Sequence, residues 1–353
     1  SILCATPDRS VVLVDIPRSI EEAQVALRQP VPHRRLLSSE PQALPWTLPE
    51  PKAPREGIPG ASSNAHSASA TIAELMTLEI ALAALENVRT CHNGGQWCLP
   101  RAVSRELDTS AQSRGPWPSI FVPEASHHIT GTIQDTRDEL LMKTASVKFD
   151  LVLLDPPWPS RSARRKKSGT NYATVSNMAE ARQLITAVPV ASRLAAGGLV
   201  AVWITNKPAV YDLLVGAGGV FSQWGVELVG EWIWLKVTST GQPVFNMHSQ
   251  WRKPWERLLL ARPRNPNPGG SLLGGSSSNI GQDRPRKQRS VQTKVILAVP
   301  DLHSRKPNLR GLLQDLLPPD YLGLEVFARH LTAGWWAWGN EPLLFQKGEH
   351  WVE

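Results

Sequence analysis

The chain has 353 residues, a formal charge of +7, 41% hydrophobic residues and three cysteines. That length accommodates one large domain with a sizeable core, or one domain beside a smaller unit. Three thiols exclude a disulfide framework and point to a reducing compartment. No apolar run reaches membrane-spanning length, and the basic balance favours a polyanionic partner.

Residues 1–60 are proline-rich with little period, and 11–16 reads as one short strand. Residues 38–69, rich in Pro, Ser, Ala and Gly, read as a linker. The pattern then changes. Ile72, Leu75, Met76, Leu78, Ile80, Leu82, Leu85 and Val88 give a broad apolar face on a helix over 71–90, expected to pack on its own domain. Cys91 and Cys98 flank His92, but the spacing is not that of a zinc site, so no metal is expected. Residues 1–115 thus form an N-terminal region, and 116–353 a second one of different character.

The second region opens with a short strand expected within 128–133. Next comes Lys148-Phe149-Asp150-Leu151-Val152-Leu153-Leu154, an apolar run of strand length that reads as a buried parallel strand. It delivers Asp155-Pro156-Pro157-Trp158 to the mouth of the sheet, where open α/β sheets bind ligands. Two prolines stiffen that turn. A carboxylate, a rigid backbone and an indole are then presented together, which suits methylation of an exocyclic amine. Hydrogen bonds from the amino group to Asp155 and to the Pro156 carbonyl would draw the lone pair out of the ring plane. Trp158 would stack on the flipped base. The bland alternative is an ordinary proline turn with a buried Trp.

Immediately after lie Arg161, Arg164, Arg165, Lys166 and Lys167, then Asn171 and Tyr172. Beside such a turn this run suits phosphate contacts, the rival readings being a solvated loop or a nuclear-localisation signal. A helix over 177–196 is expected to bend or break near Pro189, followed by a buried strand over 199–204. Residues 226–237 and 255–261 are further strands. The loop 238–253 between them carries Arg252 and Lys253, as a substrate-contacting lid or a long hairpin connection. Residues 263–293 form a low-complexity insert with Arg284, Arg286, Lys287 and Arg289. After it come a strand over 295–299, the run Arg305-Lys306-Pro307, and a helix over 308–317. A strand over 322–328 leads into Arg329-His330, and the last strand, 335–338, ends at Gly339-Asn340-Glu341.

Alternation of apolar strands with helices implies an α/β fold with a doubly wound, mostly parallel sheet. There is no Gly-x-Gly-x-x-Gly and no Walker loop, so dinucleotide and triphosphate binding lose support. Asn340 and Glu341 at a strand end suit ribose hydroxyls, and Lys306 before a helix suits a carboxylate.

Together these residues resemble the MT-A70 family of adenine-N6 methyltransferases, in particular its methyltransferase-like-four branch. The resemblance covers 149–345 apart from the insert. It rests on 148–158, Glu231-Trp232-Ile233-Trp234-Leu235-Lys236, His303-Ser304-Arg305-Lys306-Pro307, Glu325-Val326-Phe327-Ala328-Arg329 and Trp338-Gly339-Asn340-Glu341. It implies a permuted Rossmann-like sheet, S-adenosylmethionine as cofactor, and adenine in small nuclear RNA (already 2′-O-methylated) or in DNA as substrate. Asp155, Pro156, Pro157 and Trp158 would hold the target adenine and the methionine end of the cofactor, and Lys306 the cofactor carboxylate. Arg329, Asn340 and Glu341 would hold the ribose, and Phe327 would line the pocket. Arg305, Glu325 and His330 complete the cofactor set. Arg305 stands where the family usually has His, and His330 where Asn is common. The cofactor's adenine pocket is expected from the strand before Asp150, with Asp135 as the candidate. Nucleic acid is the expected partner, the chain is expected to be a nuclear monomer, and no membrane association is expected. The competing reading is a non-catalytic RNA-binding scaffold of the same fold. Cytosine-N4 or glutamine methylation is a third, which Asp155 argues against.

Overall fold

The computed structural model describes residues 1–30, 33–47, 68–103, 120–159, 175–249, 252–264, 290–302 and 305–352, the backbone alone over 68–70. In chain order the elements are β1 (Ile2–Ala5), β2 (Val11–Val14), α1 (Ile16–Ala23), β3 (Arg35–Ser38), α2 (Ala68–Cys91), β4 (Ala102–Val103), β5 (His127–Thr130), α3 (Arg137–Lys143) and β6 (Phe149–Leu154). Next are α4 (Met178–Thr186), α5 (Val190–Arg193), β7 (Leu194–Ile204), α6 (Pro208–Val215), α7 (Val220–Gln223), β8 (Val226–Lys236) and β9 (Trp255–Pro263). The last are β10 (Lys294–Ala298), α8 (Arg310–Leu313), β11 (Gly323–Val326), β12 (Trp336–Gly339) and β13 (Trp351–Val352).

Ten strands form one sheet in the order β1-β2-β10-β8-β9-β7-β6-β11-β12-β5. Six of its nine neighbouring pairs are parallel, so the expected mostly parallel α/β sheet is present. β9 is the antiparallel intruder, paired to β7 and β8. The late strand β11 lies directly beside β6, with Val326 opposite Leu154. This crossover brings the turn after β6 next to residues that come far later in the chain, the permuted order expected.

Alternate residues of each strand point to opposite faces, and both faces are covered. Val152, Leu154, Val200 and Val202 pack under α4, α6 and α7. Leu151, Leu153, Trp203 and Trp234 pack on the other face with Ile16 and Ile20 of α1 and Leu312 of α8. α2 covers the remaining part of the first face through Leu78, Leu85 and Val88, which meet Leu13, Ile233 and Leu297. Its apolar surface is wider than the sheet it meets, so Ile72, Leu75, Met76 and Ile80 are exposed rather than packed as expected.

Several expected boundaries shift. β1 and β2, from the N-terminal region, extend the main sheet through the parallel pair β2–β10. α1 was not expected; Asp15 caps it by accepting from Arg18 N at 2.9 Å, and Pro17 suits its first turn. The helix expected over 177–196 breaks before Val190, as Pro189 requires, and the one over 308–317 shrinks to the single turn of α8. The described part of 238–253 is a packed hairpin connection rather than a lid. Val244 N donates to the Lys236 carbonyl at 3.1 Å, and Ser239 N to that of Gln42 at 2.8 Å.

Candidate active site

β6 is buried from Leu151 to Leu154, and its exit places Asp155 beside the end of β11, where Asp155 N donates to the Val326 carbonyl at 3.4 Å. Lys306 reaches this carboxylate from the segment before α8. Its Nζ donates to Asp155 Oδ2 at 3.0 Å and stands 3.2 Å from Glu256 Oε2. Glu256, at the start of β9, also receives Lys236 at 2.5 Å. Two cations and two carboxylates thus alternate along one line. Burial disfavours the Lys306 ammonium, but Asp155 and Glu256 more than reverse this and hold its pKa well above the ordinary lysine value. Burial likewise opposes the Glu256 carboxylate, and Lys306 and Lys236 bring it down to about 2. The expected partner of Lys306 is a cofactor carboxylate; here two protein carboxylates take two of its three donors. Glu256 is not among the residues expected at the site, because it stands beside Arg257 in a strand that carries several charges.

Pro156 is buried and Pro157 half-buried, so the turn is rigid and partly enclosed. Trp158 departs from its expected place. Its indole is buried in the core under α4, and Nε1 donates to the Trp203 carbonyl at 2.8 Å. The ring anchors the turn to β7 instead of offering an open platform for a base, because a large ring next to a sheet gains more by burial than by exposure.

The second half of the site is the end of β11 and β12. Phe327 has φ +63° and its amide donates to the Trp338 carbonyl at 2.7 Å. Gly339, φ +153°, faces it so closely that a Cβ there would lie 3.0 Å from Phe327 Cα. Strain of this kind persists where surrounding structure over-determines it. Two clefts meet at this crossing and share Phe327 and Arg329. One is walled by Asp155, Lys306, Arg305 and Glu325. The other is walled by Pro157, Thr132, Gln134, Asn340 and Glu341. Apart from Pro156, Trp158 and Asp135, the expected catalytic and cofactor residues therefore line these two adjoining clefts.

Their roles differ in detail from expectation. Arg305 is buried, pairs with Asp301 at 2.5 Å and donates to the Leu37 carbonyl at 3.1 Å, so it ties β3 to the site. Its Nε and Nη2, also buried, have no hydrogen-bond partner. His330 is buried, 3.3 Å from Asn308 Nδ2 and 3.9 Å from Glu325. Burial, with Arg305 and Arg329 nearby, lowers its pKa to about 3 and keeps the ring neutral. Glu325 is driven the other way, to about 8, by burial and then by the Asp155 charge. Asp135 does not reach the cleft. Its carboxylate accepts from Thr132 Oγ1 at 2.7 Å within its own turn, and Thr132, Ile133 and Gln134 after β5 form the wall instead.

The sequence model of the family described as MT-A70 matches residues 149–341. The chain belongs to the MT-A70 family. The chain is 45% identical to the "N6-methyladenosine RNA methyltransferase MTA1" of Cryphonectria parasitica, covering 100% of this chain and 94% of that protein. It is 40% identical to the protein of the same name in Pyricularia oryzae, over 99% of this chain and 96% of the other. The "N(6)-adenine-specific methyltransferase METTL4" of Mus musculus is 34% identical over 58% of this chain and 40% of its own length. The expected methyltransferase-like-four branch is thus a relative, and the fungal proteins share more of the chain. As a member of this family the chain is a methyltransferase.

Not every expected residue of this MT-A70 chain falls at the clefts. Arg161, Arg164, Arg165, Lys166, Lys167, Asn171 and Tyr172 lie outside the described residues, as do Arg284, Arg286, Lys287 and Arg289. Arg252 is exposed, its guanidinium 5.7 Å from the Phe245 ring. Lys253 pairs with Glu74 of α2, on the sheet face away from Lys306. His92 Nε2 contacts the Gln96 carbonyl at 2.8 Å, and Cys91 faces Cys4. Among the described residues no group of three ligands fits a metal ion.

Proposed function

We propose that this chain transfers a methyl group from S-adenosylmethionine to N6 of an adenine in nucleic acid. RNA is favoured, because the relatives that span the whole chain are named for it. The observation that carries the reading is Asp155, held at 3.0 Å by Lys306 at a strand end where two clefts meet. The cofactor fits the residues present. Arg305 borders the cleft that also holds Lys306, and its two unpartnered guanidinium nitrogens, Nε and Nη2, suit a carboxylate-bearing ligand. Asn340, Glu341 and the wall formed by Thr132, Ile133 and Gln134 offer polar and apolar surface for a nucleoside.

S-adenosylmethionine supplies an electrophilic methyl group on a sulfonium. The residues of this chain do the rest. Asp155 accepts one N6 hydrogen and the Pro156 carbonyl the other, which aims the nitrogen lone pair out of the ring plane. Lys306 fixes the Asp155 carboxylate in rotation. Trp158 holds the turn to β7, and half-buried Glu256 balances the Lys306 charge. The amine becomes acidic as it is methylated, so no base stronger than a carboxylate is required.

Incorporation of labelled methyl from S-adenosylmethionine into matched RNA and DNA adenine oligonucleotides tests the reading, with Asp155→Ala as control. The expected result is transfer by the natural chain and none by the variant. Cofactor binding without transfer to any oligonucleotide would sink it. Nucleic-acid binding without cofactor binding in calorimetry would favour the scaffold reading.

A further inference from the structure

On the sheet face opposite Lys306, α2 and α6 stand on either side of a cleft of about 480 Å³. That lies within the roughly 300–1,000 Å³ range of small-ligand sites. Its floor comes from alternate residues of two neighbouring strands, Glu231 and Ile233 of β8 with Trp255 and Arg257 of β9. Arg257 Nη1 lies 3.6 Å from Glu231 Oε1, and the guanidinium lies 5.5 Å from the Tyr211 ring centroid. Lys236 and Glu256 close to 2.5 Å on the other face. The Glu231–Arg257 pair is looser and faces open volume. Both side chains are largely withdrawn from water, at 24% and 14% exposure. Burial pushes the Glu231 carboxyl up, against the pull of Arg257.

The rim of this cleft is bonded to the catalytic turn. Asn206, just beyond β7, donates Nδ2 to the Trp255 carbonyl at 2.6 Å. Its neighbour Lys207 donates to the carbonyl of Pro159, the residue after Trp158. β6, β7 and β9 are consecutive in the sheet. The floor therefore begins about 10 Å from the strand that bears Asp155.

We propose that this cleft binds a guanine base of the substrate strand near the methylated adenine, an inference that rests on the function proposed above. An acceptor-only carboxylate beside a donor-only guanidinium is the complement of the guanine edge. Glu231 accepts from N1–H and N2–H, and Arg257 donates to O6. Tyr211 offers its ring for stacking, and Met76 and Ile80 of α2 supply an apolar wall. Adenine presents neither an N1–H nor a carbonyl to this pair, and the pyrimidines present a single N–H. Lys253, at the same cleft, is already neutralised by its pair with Glu74, so the recognition rests on Glu231 and Arg257.

Calorimetric titration of the whole chain with GMP, IMP and AMP tests the proposal. IMP lacks the N2–H, so GMP is expected to bind about tenfold more tightly than IMP. Glu231→Gln, close in shape, is expected to erase that difference, and Tyr211→Ala to weaken all purine nucleotides bound there. Thermal melting checks that both variants fold. Oligonucleotides with and without a guanine near the target adenine give the second readout, a lower KM with guanine that Glu231→Gln abolishes. Equal binding of GMP and IMP, or a preference that survives Glu231→Gln, overturns the pocket. If GMP behaves as expected but no oligonucleotide is methylated, the reaction proposed above falls and the pocket stands. If methylation proceeds indifferent to guanine and GMP does not bind, the pocket falls and the reaction stands.

Discussion

Lys306 Nζ lies 3.0 Å from Asp155 Oδ2, although the two residues are far apart in the chain. The pair sits where β6 and the segment before α8 converge, and Glu256 stands on the other side of the ammonium at 3.2 Å. Lys306 is 14% exposed, whereas Asp155 is 37% exposed and so partly served by water. Removing the ammonium leaves Glu256 and Asp155 close together, with only Lys236 to offset them. Lys306→Met is expected to lower stability by about 1–2 kcal/mol, less than a fully buried pair costs because water partly serves Asp155, and to abolish methyl transfer. Lys306→Arg is expected to lose most activity as well, because a planar fork does not fit between two carboxylates placed for a point charge. Urea unfolding and transfer assays on both variants check this; near-normal transfer by Lys306→Met would remove the pair from the mechanism.

Cys4 and Cys91 bring their sulfurs to 2.8 Å, joining β1 to the end of α2. Burial first, and then the Cys91 thiol, push the Cys4 pKa up to about 11, so Cys4 stays protonated. Cys91 is exposed. Hydrogen peroxide is therefore expected to oxidise Cys91 to a sulfenic acid, releasing one water. Cys4 then condenses with it, releasing a second water and forming a disulfide. Thiol titration should fall from three groups to one, and Cys91→Ser should block the change. The bond closes a long loop and is expected to raise stability by up to about 4 kcal/mol in the reversible melt. A count that remains at three after peroxide would contradict the reading.

Where the sequence was legible, single-element physics decided the outcome. The runs at β6, β11 and β12 are mostly apolar, so they read as buried strands, and their following residues Asp155, Phe327, Arg329, Asn340 and Glu341 fall at the clefts. What escaped depends on facing. A sequence shows that an indole follows the two prolines but not that it turns inward to the Trp203 carbonyl. Glu256 reads as one charge among many until β9 is paired antiparallel to β7 and β8, which fixes the face it points to. Arg305 looks like a ligand-binding cation beside Lys306, but Asp301 and the Leu37 carbonyl occupy part of its fork. α1 had local signals in Asp15 and Pro17, which an eight-residue helix makes easy to overlook.

Trp158 separates an anchoring role from a stacking role. Its Nε1–H bond to the Trp203 carbonyl is inside the core, at 2.8 Å. Trp158→Phe keeps a large ring and removes this donor. The expected cost is about 1–2 kcal/mol of stability, with a lower kcat from a loosened Asp155 turn and little change in KM for the oligonucleotide. A base-stacking Trp158 predicts the reverse, a changed KM at constant stability. Melting curves and steady-state kinetics on the one variant distinguish the two.

Glu325 and His330 give the site opposed pH dependences. Glu325 is raised from 4.5 to about 8 by burial and the Asp155 charge, so the folded chain binds its proton more tightly than the unfolded chain. Its contribution is complete below about pH 4.5 and is lost as pH climbs toward 8. His330 is lowered from 6.5 to about 3, so its contribution is present above pH 6.5 and is lost as pH falls toward 3. Stability is therefore expected to decline from pH 6.5 to 8.5 in the natural chain. Glu325→Gln, which cannot ionise, should flatten that alkaline limb and leave the acid limb set by His330. Denaturant unfolding at half-unit pH intervals reads both slopes. An alkaline limb equally steep in Glu325→Gln would assign the loss to another group.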